Sequence, residues 1–319
     1  MRPRLLITRP VPRAVLERAR SLFNTDMRAD TGRTDGGFLQ MALSDYDAVI
    51  PSLGDDFSSD VFANAPNIRC RILANFGAGT DHISLSSAQT AGIAVTNTPG
   101  AVTEPTADLA MALLLMSARR AVEGDRLVRS GNWEGWHPVQ MLGQHICGKT
   151  LGVIGMGRIG QAIARRAHFG FGMNVIFHNR SPRTVEGLPA RQKKLAEVLE
   201  AADFVVIAVP GGARTRHLIN PARLARMKST AHLINVSRGE VVSEAALIWA
   251  LKRGKIAGAG LDVYEHEPVI PEELRSLENT VLLPHLGTAT EEARISMGMT
   301  ALDNLEAFFE RREPPHLVA

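Results

Sequence analysis

Three glycines spaced G-x-G-x-x-G, Gly155-Met-Gly-Arg-Ile-Gly160, separate the apolar run Leu151–Ile154 from the helical pattern Arg158–Ala167. A strand running into such a turn and then into a helix is a strong signal, where the glycines alone would be weak. Gly155 permits the tight turn, Gly157 lets backbone approach a pyrophosphate, and Gly160 allows close helix–sheet packing. Amides opening the helix then bind the anion. The segment predicts a βαβ unit that binds a dinucleotide.

The rest of the chain repeats the alternation. Val175–Phe177, Phe204–Ala208, Leu233–Val236, Gly260–Val263 and Val281–Leu283 read as further buried strands, with helical patterns such as Gln161–Ala167 and Ala245–Leu251 between them. An earlier series precedes the glycines. Its strands are Arg4–Thr8, Ala48–Ile50, Ile72–Leu73 and Ile93–Thr96, and its helices start at Pro12 and span Ser59–Ala65 and Ser84–Ala91. Continuous apolar strands joined through helices imply parallel sheets covered on both faces. At 319 residues the chain has room for two of them. The expected class is α/β, with two doubly wound parallel-sheet domains. Glu104–Arg120 is a helical pattern apolar on nearly every side. Such helices are buried, so this one is expected to bridge domains or subunits.

Composition closes off other classes. With 45% apolar residues and mixed charge, the chain is not intrinsically disordered. Its two cysteines, Cys70 and Cys147, cannot build a disulfide framework or a zinc knuckle, which suits a reducing compartment. The longest uncharged apolar run, Leu109–Ala118, is far short of the ~20 residues of a membrane span. The first residues lack the apolar core of a signal peptide, so a cytoplasmic location is expected. His266-Glu267-Pro is not His-Glu-x-x-His, and no other histidine pair has convincing ligand spacing, so no metal site is expected.

The net charge of +3 is concentrated in one place. Residues 178–194 hold Arg180, Arg183, Arg191, Lys193 and Lys194 against Glu186, a net +4, so the remainder sums to −1. That is not the diffuse basic surface of a nucleic-acid-binding protein. An NAD-binding unit places Asp or Glu about 20 residues past the glycines, on the ribose 2′-hydroxyl. Here Asn179 stands there, followed by Arg180, Ser181 and Arg183. A carboxylate would repel a 2′-phosphate, whereas guanidinium groups bond it. The inferred cofactor is therefore NADP(H), with NADPH preferred over NAD(H).

Ligands of open α/β sheets bind beyond the carboxyl ends of the strands. Three predicted strands end in ionisable residues: Arg238, the Glu265–Glu267 pair, and His285. Brought to one crevice, they suit reduction of a 2-oxo acid. Arg238 would hold the carboxylate and polarise the keto oxygen. His285 would donate a proton. A glutamate would fix the imidazole tautomer and stabilise the imidazolium. Spacing alone leaves Glu265 and Glu267 as rivals for that place.

These residues resemble the D-isomer-specific 2-hydroxyacid dehydrogenases, in particular the glyoxylate/hydroxypyruvate reductase branch. The likeness runs through Asn75-Phe-Gly-Ala-Gly-Thr-Asp-His-Ile83, Thr96-Asn-Thr-Pro-Gly100, the 148–160 segment, Asn235-Val-Ser-Arg-Gly239, Gly258-Ala-Gly-Leu-Asp-Val263 and Leu283-Pro-His-Leu-Gly287. By resemblance, the family's catalytic Arg, Glu and His fall on Arg238, Glu267 and His285. Its substrate-carboxylate loop falls on Phe76, Gly77, Ala78 and Gly79, and Trp133 and Trp136, in the segment after the bridging helix, would line either the substrate cleft or the subunit contact. Thr106 and Asp262 fall at the nicotinamide, Arg158 and Ile159 at the pyrophosphate, Val209, Pro210 and Thr215 near the adenosine, and Val236 and Ser237 near the nicotinamide ribose. Leu53 and Gly54 mark the loop that would approach the substrate. Val209-Pro-Gly-Gly-Ala-Arg214 departs from the Pro-Leu-Thr common in the family, which weakens that carry-over.

The resemblance further implies a Rossmann nucleotide-binding domain over residues 101–287, with a bridging and dimerisation helix at about 104–120. A flavodoxin-like substrate domain is implied over 1–100 and 288–319. It also implies a homodimer and a small 2-oxo or 2-hydroxy acid substrate, with no nucleic acid or membrane partner. Two alternatives stand beside it. One is an NAD-linked dehydrogenase of another acid, of the phosphoglycerate, formate or phosphite type. The other is a nucleotide-sensing interaction protein like the transcriptional corepressors that share the fold.

Overall fold

The computed structural model describes residues 2–319 and arranges twelve strands in two parallel sheets. The chain up to Val102, together with Thr288–Ala319, makes one unit, and Thr103–Gly287 makes the other.

In the first unit the strands are β1 (Arg4–Ile7), β2 (Asn24–Met27), β3 (Ala48–Ile50), β4 (Ile72–Ala74) and β5 (Ala94–Thr96). Their order is β2-β1-β3-β4-β5, a flavodoxin-like arrangement. Its helices are α1 (Arg13–Leu22), α2 (Gly36–Asp45), α3 (Ser59–Asn64) and α4 (Leu85–Thr90). Successive strand residues feed two cores. Leu6, Val49, Leu73 and Val95 join Leu39, Leu43, Val61 and Ala88 on one face. Leu5, Ile7, Ile50 and Ile72 join Val15 and Ala19 on the other. Burial on both faces is why these strands read as unbroken apolar runs. β2 is the exception. Its Asn-Thr-Asp-Met is half exposed, so no such run announces it.

The second unit opens with α5 (Thr103–Ala118) and α6 (Ala121–Arg129). Seven strands follow: β6 (Thr150–Ile154), β7 (Asn174–His178), β8 (Ala190–Gln192), β9 (Phe204–Ile207), β10 (His232–Asn235), β11 (Gly258–Leu261) and β12 (Thr280–Leu282). Their order is β12-β11-β10-β9-β6-β7-β8. The chain leaves β6 in one direction and returns to β9 on its other side, so β6 and β9 flank the topological switch point. The remaining helices are α7 (Arg158–Arg165), α8 (Leu195–Ala201), α9 (Pro221–Leu224), α10 (Glu244–Lys252) and α11 (Glu272–Arg275). The apolar α5 packs on β10, β11 and α7, where Ala107, Ala110, Leu113 and Leu114 are fully buried. Part of the basic 178–194 stretch has a structural setting too. Arg191 lies on the edge strand β8, where charge discourages pairing with other chains. The chain then returns to the first unit as α12 (Glu291–Phe309), which adds Ala301, Leu302 and Leu305 to the α1 side of that core. Among the described residues, no helix is long and apolar enough to cross a membrane.

His232, the first residue of β10, is buried with its ring stacked on Phe204. Its Nδ1 lies 2.7 Å from Ser117 Oγ, and its Nε2 lies 3.3 Å from Gln144 Nε2. Burial pushes its pKa down to about 4 from 6.5. The unfolded chain therefore takes up this proton at a higher pH than the folded one. The stability from keeping the ring neutral is complete above pH 6.5 and is lost as the pH falls towards 4. Denaturant unfolding at pH 7 and pH 4.5 should show His232 contributing about 2–3 kcal/mol of acid destabilisation. A His232→Gln variant should lack that component. An equal pH loss in both proteins would refute it.

Candidate active site

The parallel register sets the tips of β10, β11 and β12 level, with Asn235 beside Leu261 and Leu261 beside Leu282. The residues that follow therefore converge. After β10, the buried Asn235 shapes the turn that presents Arg238. Its Nδ2 donates to Arg238 O at 3.0 Å, and its Oδ1 accepts from the Ser237 amide at 3.1 Å. After β11, Glu267 Oε1 accepts from the Tyr264 amide at 3.0 Å. Its Oε2 lies 2.9 Å from His285 Nδ1, on the segment after β12. That contact assigns the Nδ1 proton to the carboxylate side and leaves Nε2 as the ring nitrogen for proton exchange.

Burial pushes the Glu267 carboxyl up. The His285 hydrogen bond and charge, the Tyr264 amide and the Arg238 charge outweigh it, and hold Glu267 below the usual carboxylate range. The anion is thus the resting form beside the imidazole. His285 itself has a left-handed backbone, with φ +57°. For a non-glycine residue that costs roughly 1–2 kcal/mol and persists only where neighbours enforce it. Asp262 does so. Its carbonyl accepts from the His285 amide at 3.0 Å, and its carboxylate accepts from the Leu286 and Gly287 amides at 2.6 and 2.8 Å. Burial raises the Asp262 carboxyl. Thr106 Oγ1 reaches Gly287 O at 3.2 Å, so Thr106, Asp262 and the His285 turn form one bonded corner.

The glycine turn lies at the switch point after β6. Gly155 has φ +97°, and a Cβ there would sit 2.5 Å from Ala208 O. A Cβ on Gly160 would sit 2.0 Å from Gly155 O, so α7 can pack this closely only on glycine. Gly157 differs: a Cβ there would meet nothing within 4 Å. Open space over its backbone, at the start of α7, is the cradle a pyrophosphate needs, and the residues fit a dinucleotide. Arg158 is exposed and Ile159 half-buried in the first turn of α7.

At the tip of β7, Asn179 Oδ1 accepts from the Met156 amide at 3.4 Å, and its Nδ2 donates to Ser181 O at 3.0 Å. Arg183 reaches across the turn to Met156 O at 2.6 Å, and Arg180 is exposed. Val209 O accepts from Ser237 Oγ at 2.5 Å, and Thr215 Oγ1 donates to Pro210 O at 2.7 Å. Val236 and Ser237 are buried after β10. In the first unit, three carbonyls of the Phe76–Gly79 loop accept from asparagine side chains. Asn75 Nδ2 donates to Gly77 O and Gly79 O at 3.0 and 2.8 Å, and Asn97 Nδ2 to Ala78 O at 2.7 Å. Trp136 is 78% exposed.

Sequence reasoning missed three supports: Asn235, Tyr264 and the His217–Glu265 pair, whose Nε2 and Oε1 are 2.6 Å apart. Asn235 carried a readable signal, since Asn three residues before a turn-ending Arg suits an Asx turn. The other two depend on contacts that no local pattern in the sequence announces.

Comparison with known proteins gives the family. Residues 111–287 match the family described as D-isomer specific 2-hydroxyacid dehydrogenase, NAD binding domain. The whole chain is 45% identical to a glyoxylate reductase of Thermococcus kodakarensis, over 324 aligned positions and 96% of that protein. An NADPH-dependent glyoxylate/hydroxypyruvate reductase from Sinorhizobium meliloti, solved with NADP and malonate, superposes with a TM-score of 0.88 at 39% identity. That match covers 100% of this chain and 97% of the other. A Thermus thermophilus protein gives 0.91 at 41% identity, covering 99% and 100%.

Proposed function

The chain belongs to the D-isomer specific 2-hydroxyacid dehydrogenases and is an NAD(P)-dependent oxidoreductase of 2-hydroxy acids; we propose that it reduces short 2-oxo acids, glyoxylate and hydroxypyruvate, with NADPH. The observation that carries the chemistry is the 2.9 Å Glu267–His285 pair at strand tips shared with Arg238.

In this reading Gly155, Gly157, Gly160, Arg158 and Ile159 hold the pyrophosphate of the cofactor, and Thr106 and Asp262 its nicotinamide end. Val209, Pro210 and Thr215 lie towards its adenosine, and Val236 and Ser237 towards its nicotinamide ribose. Asn179, Arg180, Ser181 and Arg183 face its 2′-phosphate. When bound, the nicotinamide supplies the hydride. Arg238 binds the substrate carboxylate and draws charge from the keto oxygen. His285 Nε2 gives its proton to that oxygen as the alcohol forms. Glu267 keeps the ring oriented and stabilises its protonated form. In the first unit, the Phe76–Gly79 loop offers amides to a carboxylate. The products are D-2-hydroxy acids.

The segment after α6 exposes Trp133, Trp136, Val139 and Leu142. So much apolar surface on one short stretch supports pairing with a second copy. A cytoplasmic location accords with the two free thiols, Cys70 and Cys147.

Loss of nicotinamide absorbance on mixing NADPH with glyoxylate or hydroxypyruvate tests the proposal. Turnover with both acids, and a higher kcat/KM for NADPH than for NADH, is the expected result. Tight NADPH binding without turnover of any 2-oxo acid would point to a nucleotide sensor. Turnover confined to NADH and another acid would overturn the substrate and cofactor assignments.

A further inference from the structure

Two residues before Glu267, a second carboxylate makes a second histidine pair that proton transfer does not use. Glu265 Oε1 lies 2.6 Å from His217 Nε2 and 3.6 Å from Arg216 Nη2. Glu265 Oε2 accepts from the Glu244 amide, at the start of α10, at 3.1 Å. Burial pushes this carboxyl up, but His217, the Glu244 amide and nearby charge outweigh it and hold it below the usual value.

His217 closes the loop that begins at Val209. Its amide donates to Glu240 O at 2.7 Å, and the Gly212 amide donates to Glu240 Oε1 at 2.6 Å. At the loop's other end Ser237 Oγ holds Val209 O. Between these ties Gly211 lies against the arginine stem. A Cβ on Gly211 would sit 2.8 Å from Arg238 Cγ and 3.4 Å from Arg238 Cβ. The loop is a wall behind Arg238. Ser237 and Glu240, on either side of the arginine in sequence, fasten one part of it, and the His217–Glu265 pair fastens its end.

We propose that His217 and Glu265 are positioning residues for Arg238: their pair holds the glycine loop against the arginine stem and so sets the affinity for the substrate carboxylate. The proposal rests on the function given above for Arg238, and its test separates the two.

Full-length Glu265→Ala, His217→Asn and Glu265→Gln proteins are compared with wild type. With saturating NADPH, Glu265→Ala and His217→Asn should raise KM for glyoxylate about tenfold, the scale of one charge-assisted hydrogen bond, with kcat within about threefold. Glu265→Gln keeps an acceptor for His217 but turns its NH2 towards the Glu244 amide, and its KM should fall between those of wild type and Glu265→Ala. Arg214 and Arg216 lie in the loop and are trypsin sites, so native-state cleavage reads the latch without turnover. Cleavage there should speed up in Glu265→Ala and His217→Asn, and less in Glu265→Gln. Should Glu265→Ala fail to fold, His217→Asn carries the same expectation. Unchanged KM despite faster cleavage overturns the proposal, as does a fall in kcat with KM unmoved, which would assign the pair to proton transfer. If wild type reduces no 2-oxo acid, the function fails, and unchanged cleavage in His217→Asn would then overturn the latch on its own.

Discussion

Replacing His285 by Ala is expected to lower kcat for glyoxylate reduction by a factor of about 10²–10⁴, with a much smaller change in KM. The loss follows from the geometry at the strand tips. Glu267 keeps its Tyr264 anchor when the ring is removed, so the variant loses the proton donor and not the carboxylate turn that presents it. The left-handed backbone at position 285 complicates Ala, which lacks the tolerance of Asn for that conformation. His285→Asn removes the ring while easing the backbone, and it should show the same loss of kcat. If both variants turn over like wild type, His285 is not the proton donor. If only Ala is impaired, backbone strain rather than chemistry explains the effect.

The second large effect concerns cofactor choice. Asn179→Asp should lower the NADPH-to-NADH ratio of kcat/KM by about 10², because the new carboxylate repels a 2′-phosphate and accepts from a ribose 2′-hydroxyl instead. The substitution keeps an oxygen for the Met156 amide, so the glycine turn should survive it. What it removes is the Nδ2 donation to Ser181. Arg180→Ala gives a milder, separable result: KM for NADPH rises about tenfold while NADH is nearly unaffected. Parallel kinetics with the two cofactors decide the matter. Equal shifts for both would mean that Arg180 meets no 2′-phosphate.

Most strands were legible because both sheet faces are buried, and runs such as Phe204–Ile207 leave no polar side to blur the pattern. What escaped were the polar edges. β2 and β8 each close one side of a sheet, and their half-exposed residues carry no apolar signal. α6 was hidden for a similar reason, since it buries none of its residues. α2 begins with Gly36-Gly37, which argues against a helix, although Asp35 caps it by accepting from the Phe38 amide at 2.8 Å. In the site, each strand-tip residue could be found as a polar residue following an apolar run. Which glutamate meets His285 could not. Two residues along an irregular turn can point to opposite sides, and Glu265 and Glu267 each reach their own histidine. Choosing between them took the family resemblance or the folded structure.

The first unit is stitched from both ends of the chain, and this affects the order in which the protein can be made. Leu5, Ile7 and Val15 share a core with Ala301, Leu302 and Leu305 of α12, and β5 exchanges backbone bonds with Val318 and Ala319. On the ribosome, the strands of this sheet must therefore wait, with one face only partly covered by α1, for partners synthesised much later. The middle of the chain, Thr103–Gly287, carries its whole seven-stranded sheet in one uninterrupted segment and need not wait. Contacts so distant in sequence are the slowest to close. The first unit, whose core joins segments far apart in sequence, is thus expected to complete its fold after the second, and its early strands are the stretch most in need of protection during synthesis.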